Sequence, residues 1–86
     1  MIDKLISEGH ALESKAEEGT IGKFFSSVDF EKWASKSILY LETNYGYSTV
    51  TEKAKEKFKS INTNNNYSFY QFLLGSLIAT KEFEEQ

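Results

Sequence analysis

Side chains capable of chemistry are few and scattered in this 86-residue chain. His10 is the sole histidine, and there is no cysteine. A general base needs a group to activate, and a metal needs further ligands to close its coordination shell. His10 offers neither. It shares its helix face with Ala11 and charged residues. Glu13, Glu17 and Glu18 are the densest carboxylate group. Close carboxylates can share a proton or hold a cation. At this spacing on an amphipathic helix they read as a solvated face. Gly19-Thr20-Ile21-Gly22-Lys23 has the glycines and the lysine of a phosphate cradle, without the Walker spacing or a preceding strand. Neither a Gly-x-Ser-x-Gly elbow nor a zinc-protease helix motif occurs. These residues predict no enzymatic activity, no metal and no cofactor.

The only cationic run is Lys53-Ala54-Lys55-Glu56-Lys57-Phe58-Lys59. On a helix Lys53 and Lys57 share one face, and Lys55 and Lys59 another. Glu56 interrupts them, and the run reads first as a solvated face. The sharper reading is contact with a nucleotide or nucleic acid. Lys23, Lys53 and Lys57 are its candidate ligand-binding residues, within a homo-oligomer that captures a nucleotide signal between subunits.

Aromatic residues are the unusual component, at 15% of the chain: seven Phe, five Tyr and one Trp. Each one buried removes about 150–250 Å² from water, which suits a short chain held without disulfides. Those left exposed would serve as binding anchors. Phe24, Phe25, Tyr47, Tyr67 and Tyr70 are the candidates, because four of the five sit in or beside predicted loops.

Charge narrows the choice of partner. The net charge is −3, and all ten basic residues are Lys. Without Arg the chain lacks the planar fork that reads phosphate and guanine, so direct nucleic-acid binding is disfavoured. A mildly acidic surface suits a protein partner with a basic one. No apolar run approaches the roughly 20 residues of a membrane span. The start, Met1-Ile2-Asp3-Lys4-Leu5, lacks a signal-peptide core, and with no Cys the expected location is the cytoplasm.

The elements that must position these residues are helical. Periodicity predicts an all-α, compact four-helix domain spanning 1–86, with helices at 2–18, 29–45, 49–61 and 68–83. Ile2, Leu5, Ile6, Gly9, Leu12 and Ala16 form one face of the first, with Gly19 as its C-terminal stop. Residues 19–28 form a turn-rich connection whose Ile21, Phe24 and Phe25 are expected to fold back over the core. The second helix carries Phe30, Trp33, Ser37, Ile38, Leu41 and Tyr45, capped by Asp29 or Ser27. The third opens on a Thr49–Glu52 capping box, and the fourth on Ser68–Gln71 with a Tyr67–Phe72 staple. Residues 62–66 are the clearest loop. Gly75 lies mid-helix, where the expected reason is close approach by a neighbouring helix. No stretch alternates cleanly enough to predict a strand.

With these elements placed, the chain resembles a small helical domain found in front of effector domains in prokaryotic anti-phage defence proteins, including Toll/interleukin-receptor-type nucleotide-sensing effectors. The likeness lies in Leu5-Ile6-Ser7-Glu8-Gly9, Phe30-Glu31-Lys32-Trp33, Tyr40-Leu41-Glu42-Thr43-Asn44-Tyr45-Gly46, Ser48, Phe58 and Leu73-Leu74-Gly75-Ser76-Leu77-Ile78-Ala79. It implies a non-catalytic interaction or assembly region. With no effector after Gln86, it implies a free-standing decoy, inhibitor or adaptor. The resulting expectation is a protein–protein interaction module of phage or mobile-element origin that modulates a bacterial defence system, in the manner of an anti-CRISPR or other anti-defence protein.

Overall fold

Helix α1 runs over Ile2–Leu12 and stops there, six residues short of expectation. The reason is electrostatic as well as hydrophobic. Glu13 and Glu17 would stand at i and i+4, with Glu18 beside a helix C-terminus that disfavours negative charge. Past Leu12 the apolar face offers only the small Ala16. The chain instead tightens into a single 3₁₀ turn at Glu13–Lys15, and Ala16 takes extended backbone. Strand β1 (Glu17–Gly19) then pairs antiparallel with β2 (Gly22–Phe24), placing Glu17 opposite Phe24 and Gly19 opposite Gly22. This hairpin corrects the expectation that no strand would form. Gly22 turns the two-residue loop with φ of 132°. Gly19 is no helix cap: the Phe24 ring lies against it, within 3.1 Å of where a Cβ would stand.

The remaining helices are α2 (Val28–Tyr45), α3 (Thr49–Lys59) and α4 (Asn66–Glu84). The computed structural model describes every residue from Met1 to Gln86. It is a four-helix, mostly α domain, as the periodicity predicts, with the small hairpin added. Three helix starts differ from the first candidate. Ser27, not Asp29, caps α2 by accepting from the Phe30 N–H at 3.3 Å. Ser48 caps α3 by accepting from the Thr51 N–H at 3.1 Å, so the Thr49–Glu52 box does not form. Thr51 is buried, with its hydroxyl turned to the Leu41 carbonyl of α2. Helix α4 starts two residues before Ser68, because Asn66 is needed in its first turn. The Asn66 side chain accepts from the Phe25 N–H at 2.9 Å and donates to the Phe25 carbonyl at 2.8 Å. One amide thus satisfies both backbone groups of a buried residue, as a strand neighbour would.

That clamp draws Phe25 into the core, as the folding-back of the connection anticipated, and Phe24 is half-buried; Ile21 departs from that expectation, standing 75% exposed in the hairpin turn. Phe25 stacks on Phe30 at 4.7 Å and meets Tyr70 at 5.0 Å, and Tyr70 lies 5.5 Å from Trp33. Two polar tips are satisfied on α1: Trp33 donates to the Leu5 carbonyl at 2.8 Å, and Tyr70 to the Gly9 carbonyl at 2.7 Å. The close helix approach sits at Gly9, not Gly75. A Cβ on Gly9 would fall 2.8 Å from Leu74 Cδ1 and 2.9 Å from Trp33 Cζ2, whereas one on Gly75 would meet nothing within 4 Å. No helix is long and apolar enough to cross a membrane.

Candidate functional site

The five aromatic candidates separate into two groups. Phe25 and Tyr70 are each 2% exposed and belong to the core. Neither can be an exposed anchor, because the Asn66 clamp and the Gly9 carbonyl fix them inward. Tyr67 is half-buried against them, 5.9 Å from Phe25 and 5.6 Å from Tyr70. Its hydroxyl donates to Glu13, which holds the phenol above its ordinary pKa. Phe24 is half-buried over the hairpin. Tyr47 alone is fully exposed, at the opposite end of the molecule in the α2–α3 turn.

The ligand-binding lysines do not converge. Lys23 lines a groove between the hairpin and the 63–64 loop, reaching Glu13 at 3.4 Å and lying 5.5 Å over the Tyr67 ring. Lys57 lines a different groove at the α3–α4 end, 5.3 Å over the Phe72 ring. Lys53 lies on the α3 surface and shares no groove with either. His10 is exposed, and no three of the His, Asp and Glu side chains are placed to hold a metal ion.

A different cluster emerges around Tyr47. Of the exposed large hydrophobics, Met1, Leu39, Tyr47, Val50 and Phe83 all lie where the later turns of α2, the first turn of α3 and the last turn of α4 meet. Two separate grooves open at this end, one bordered by Val50 and Phe83 and the other by Met1 and Leu39, with Tyr47 outside both. One, of about 340 Å³, is lined by Leu41, Tyr45, Val50, Ala79 and Phe83 with Ser48 and Thr80. The other, of about 460 Å³, is lined by Met1, Leu39 and Tyr40 with Lys36, Thr43 and Asn44. Between the grooves stands a clasp in which the Tyr40 and Tyr45 hydroxyls both donate to the Glu84 carboxylate. Hydrogen bonds from Tyr45 and Tyr40 hold Glu84 below the usual carboxylate range. Burial, followed by the Glu84 hydrogen bond, pushes Tyr40 up to about 12. The clasp ties the last residue of α4 to α2 between the two grooves.

Charge at this end is partly spent internally. Asp3 pairs with Lys81, Glu42 with Lys55, and Lys36 with Glu8. Glu52, Glu82 and Glu85 have no ion-pair partner, against the free lysines Lys4 and Lys53. The balance is negative. Sequence reasoning missed Leu39, Met1 and Phe83 as surface anchors. Leu39 carried a signal, since it directly follows Ile38 and falls outside the α2 stripe. Phe83 and Val50 read as helix-stripe residues, and only the packed ends show them uncovered. Compared with protein-family models, curated proteins and solved structures, the chain matches none.

Proposed function

We propose that this chain is a non-enzymatic protein-binding module whose contact surface is the Tyr47–Val50–Phe83 end. One observation carries the reading: most of the exposed large apolar side chains gather at that single end, around two apolar grooves. Contiguous apolar surface rimmed by polar groups is the mark of a binding face. Aromatic anchors over a groove are the usual origin of hot-spot energy. The free carboxylates Glu52, Glu82 and Glu85 favour a partner that brings Lys or Arg to the rim. The likeness to helical domains of anti-phage defence proteins supports placing that partner in a bacterial defence system, with this chain as its inhibitor or modulator.

The test is paired. Tyr47→Ala and Phe83→Ala should leave the melting temperature nearly unchanged, because both side chains are exposed. Each should weaken capture of a stoichiometric partner by about 30-fold, the equivalent of a 2 kcal/mol hot spot. Phe24→Ala, at the far end, should not. Expression in a defended host should raise phage plating, and Tyr47→Ala should abolish the rise. Capture that survives Tyr47→Ala and Phe83→Ala, but not Phe24→Ala, would move the site to the hairpin.

A further inference from the structure

The outward face of α4 is covered by nothing in the fold. Ser68, Gln71, Gly75 and Ala79 are exposed along it, flanked by half-buried Phe72, Leu74, Ser76 and Ile78. From Asn66 to Thr80 the helix carries no charged residue, in a chain that is 27% charged. The face ends at Phe83, which is 67% exposed. Beside Phe83 stand Glu82 and Glu85, without ion-pair partners. Helix α3 runs antiparallel alongside. Val50 shares a groove with Ala79 and Phe83, while Lys57 lies 5.3 Å over Phe72, nearer the start of α4. Lys57 has no carboxylate partner. The face is therefore uncharged along its middle, with unpaired Glu82 and Glu85 at one end and unpaired Lys57 towards the other, while the free Lys53 lies on α3 between Val50 and Lys57.

We infer that this face is the contact between two copies of the chain, packed antiparallel along α4. A charge pattern of this kind is complementary to itself only when reversed. A two-fold axis level with Leu77 sets Gly75 against Ala79 of the second copy. The same register brings Phe83 level with Gln71 and Glu82 level with Phe72, where Lys57 waits. A parallel copy would instead set Glu82 beside Glu82. Antiparallel helices also oppose their dipoles favourably. The missing side chain at Gly75 lets the two backbones approach.

The contact is small. From Ser68 to Phe83 the helix spans about 22 Å, and its exposed strip is about 10 Å wide. That is well under the ~800 Å² per partner of a standard interface, so the dimer is reversible and forms at high concentration. The inference does not rest on the protein-binding reading, but it shares Phe83 and Glu82 with it. A second copy and a bound partner exclude one another at this end.

Sedimentation equilibrium of the purified chain, from about 10 µM to 1 mM at low salt, reads the association directly. The expected result is a reversible rise from the 9.9 kDa monomer towards twice that mass. Gly75→Gln puts a good helix former where space is open, so the fold stays and dimerisation weakens at least tenfold. Lys57→Glu and Glu82→Lys each weaken it, and the double variant recovers it. Because the chain has no cysteine, single thiols report the register. A mixture of Gly75→Cys and Ala79→Cys chains should cross-link faster than either variant alone. Monomer throughout the range would overturn the inference and leave the partner reading standing. So would a dimer indifferent to Gly75→Gln, or one that cross-links best through Gly75→Cys alone.

Discussion

At Gly9 and Gly75 the same residue type sits mid-helix for opposite reasons. Gly9 is where α1 meets Trp33 and Leu74, and a methyl group there would have to displace an indole ring. Gly75 faces open space. Gly75→Ala should therefore stabilise the fold by about 0.5–1 kcal/mol, through helix propensity and a less disordered unfolded chain. Gly9→Ala should destabilise it by about 1–3 kcal/mol through overpacking. Chemical denaturation of the two variants gives both signs in one experiment. Ser37 is a second single-residue case. It is fully buried in α2, and its hydroxyl has no hydrogen-bond partner. A buried polar group left unsatisfied is costly, and Ala is the better helix former. Ser37→Ala should stabilise by about 1 kcal/mol, raising the melting temperature by roughly 4–8 °C for a domain of this size. An unchanged or lower melting temperature would show that the hydroxyl is satisfied in solution.

At the scale of elements, the helices were legible and their ends were not. The apolar stripes of α2 and α4 announce themselves through Phe30, Trp33, Leu41, Phe69, Leu73 and Leu77, all of them buried. The hairpin does not, because strands of three residues are too short to alternate. Nor does the true start of α4. It is set by Asn66 reaching Phe25, 41 residues earlier in the chain, and no local pattern encodes that pairing. The candidate site was half legible for the same reason. Composition shows that aromatics are in surplus, and Tyr47 beside Gly46 reads as exposed. Which of Phe25, Tyr70 and Phe83 is buried depends on tertiary packing. The Tyr40–Glu84–Tyr45 clasp is another tertiary feature, and it gives a pH prediction. Glu84 is held below its ordinary value of 4.5 by the two phenols. Its contribution to stability is present above pH 4.5 and is lost as pH falls through the lowered folded value. The double variant Tyr40→Phe/Tyr45→Phe removes both donors. Its melting temperature should fall less steeply than the wild type's on acidification below pH 4.5. Asp3 and Asp29 are lowered by their lysine partners in both proteins, so the difference isolates the clasp.

For the molecule as a whole, the two ends of the chain close the structure. Helices α1 and α4 are tied by Asp3–Lys81 at one end and by the Tyr70–Gly9 hydrogen bond inside. The radius of gyration, 12.6 Å, is close to the ~12 Å expected of a compact chain of this length. With so small a core, loss of one central contact is felt throughout. Tyr70 is that contact, touching Phe25, Trp33 and Tyr67 while bonded to α1. Burial, then the nearby Glu13, pushes its phenol up to about 12 from an ordinary 10. The folded state therefore keeps a proton that the unfolded chain releases. Stability from this group is complete below pH 10 and drains away between pH 10 and about 12. The global fold should loosen over that interval. Tyr70→Phe keeps the ring, loses the hydrogen bond and cannot ionise. It should be less stable than the wild type at pH 8, by about 1 kcal/mol for a buried neutral hydrogen bond. It should also lose stability less steeply above pH 10. Parallel pH profiles would mean that Tyr70 titrates at the same pKa in the folded and the unfolded chain. Profiles that converge as pH rises would identify the burial of this phenol as a source of the alkaline loss of stability.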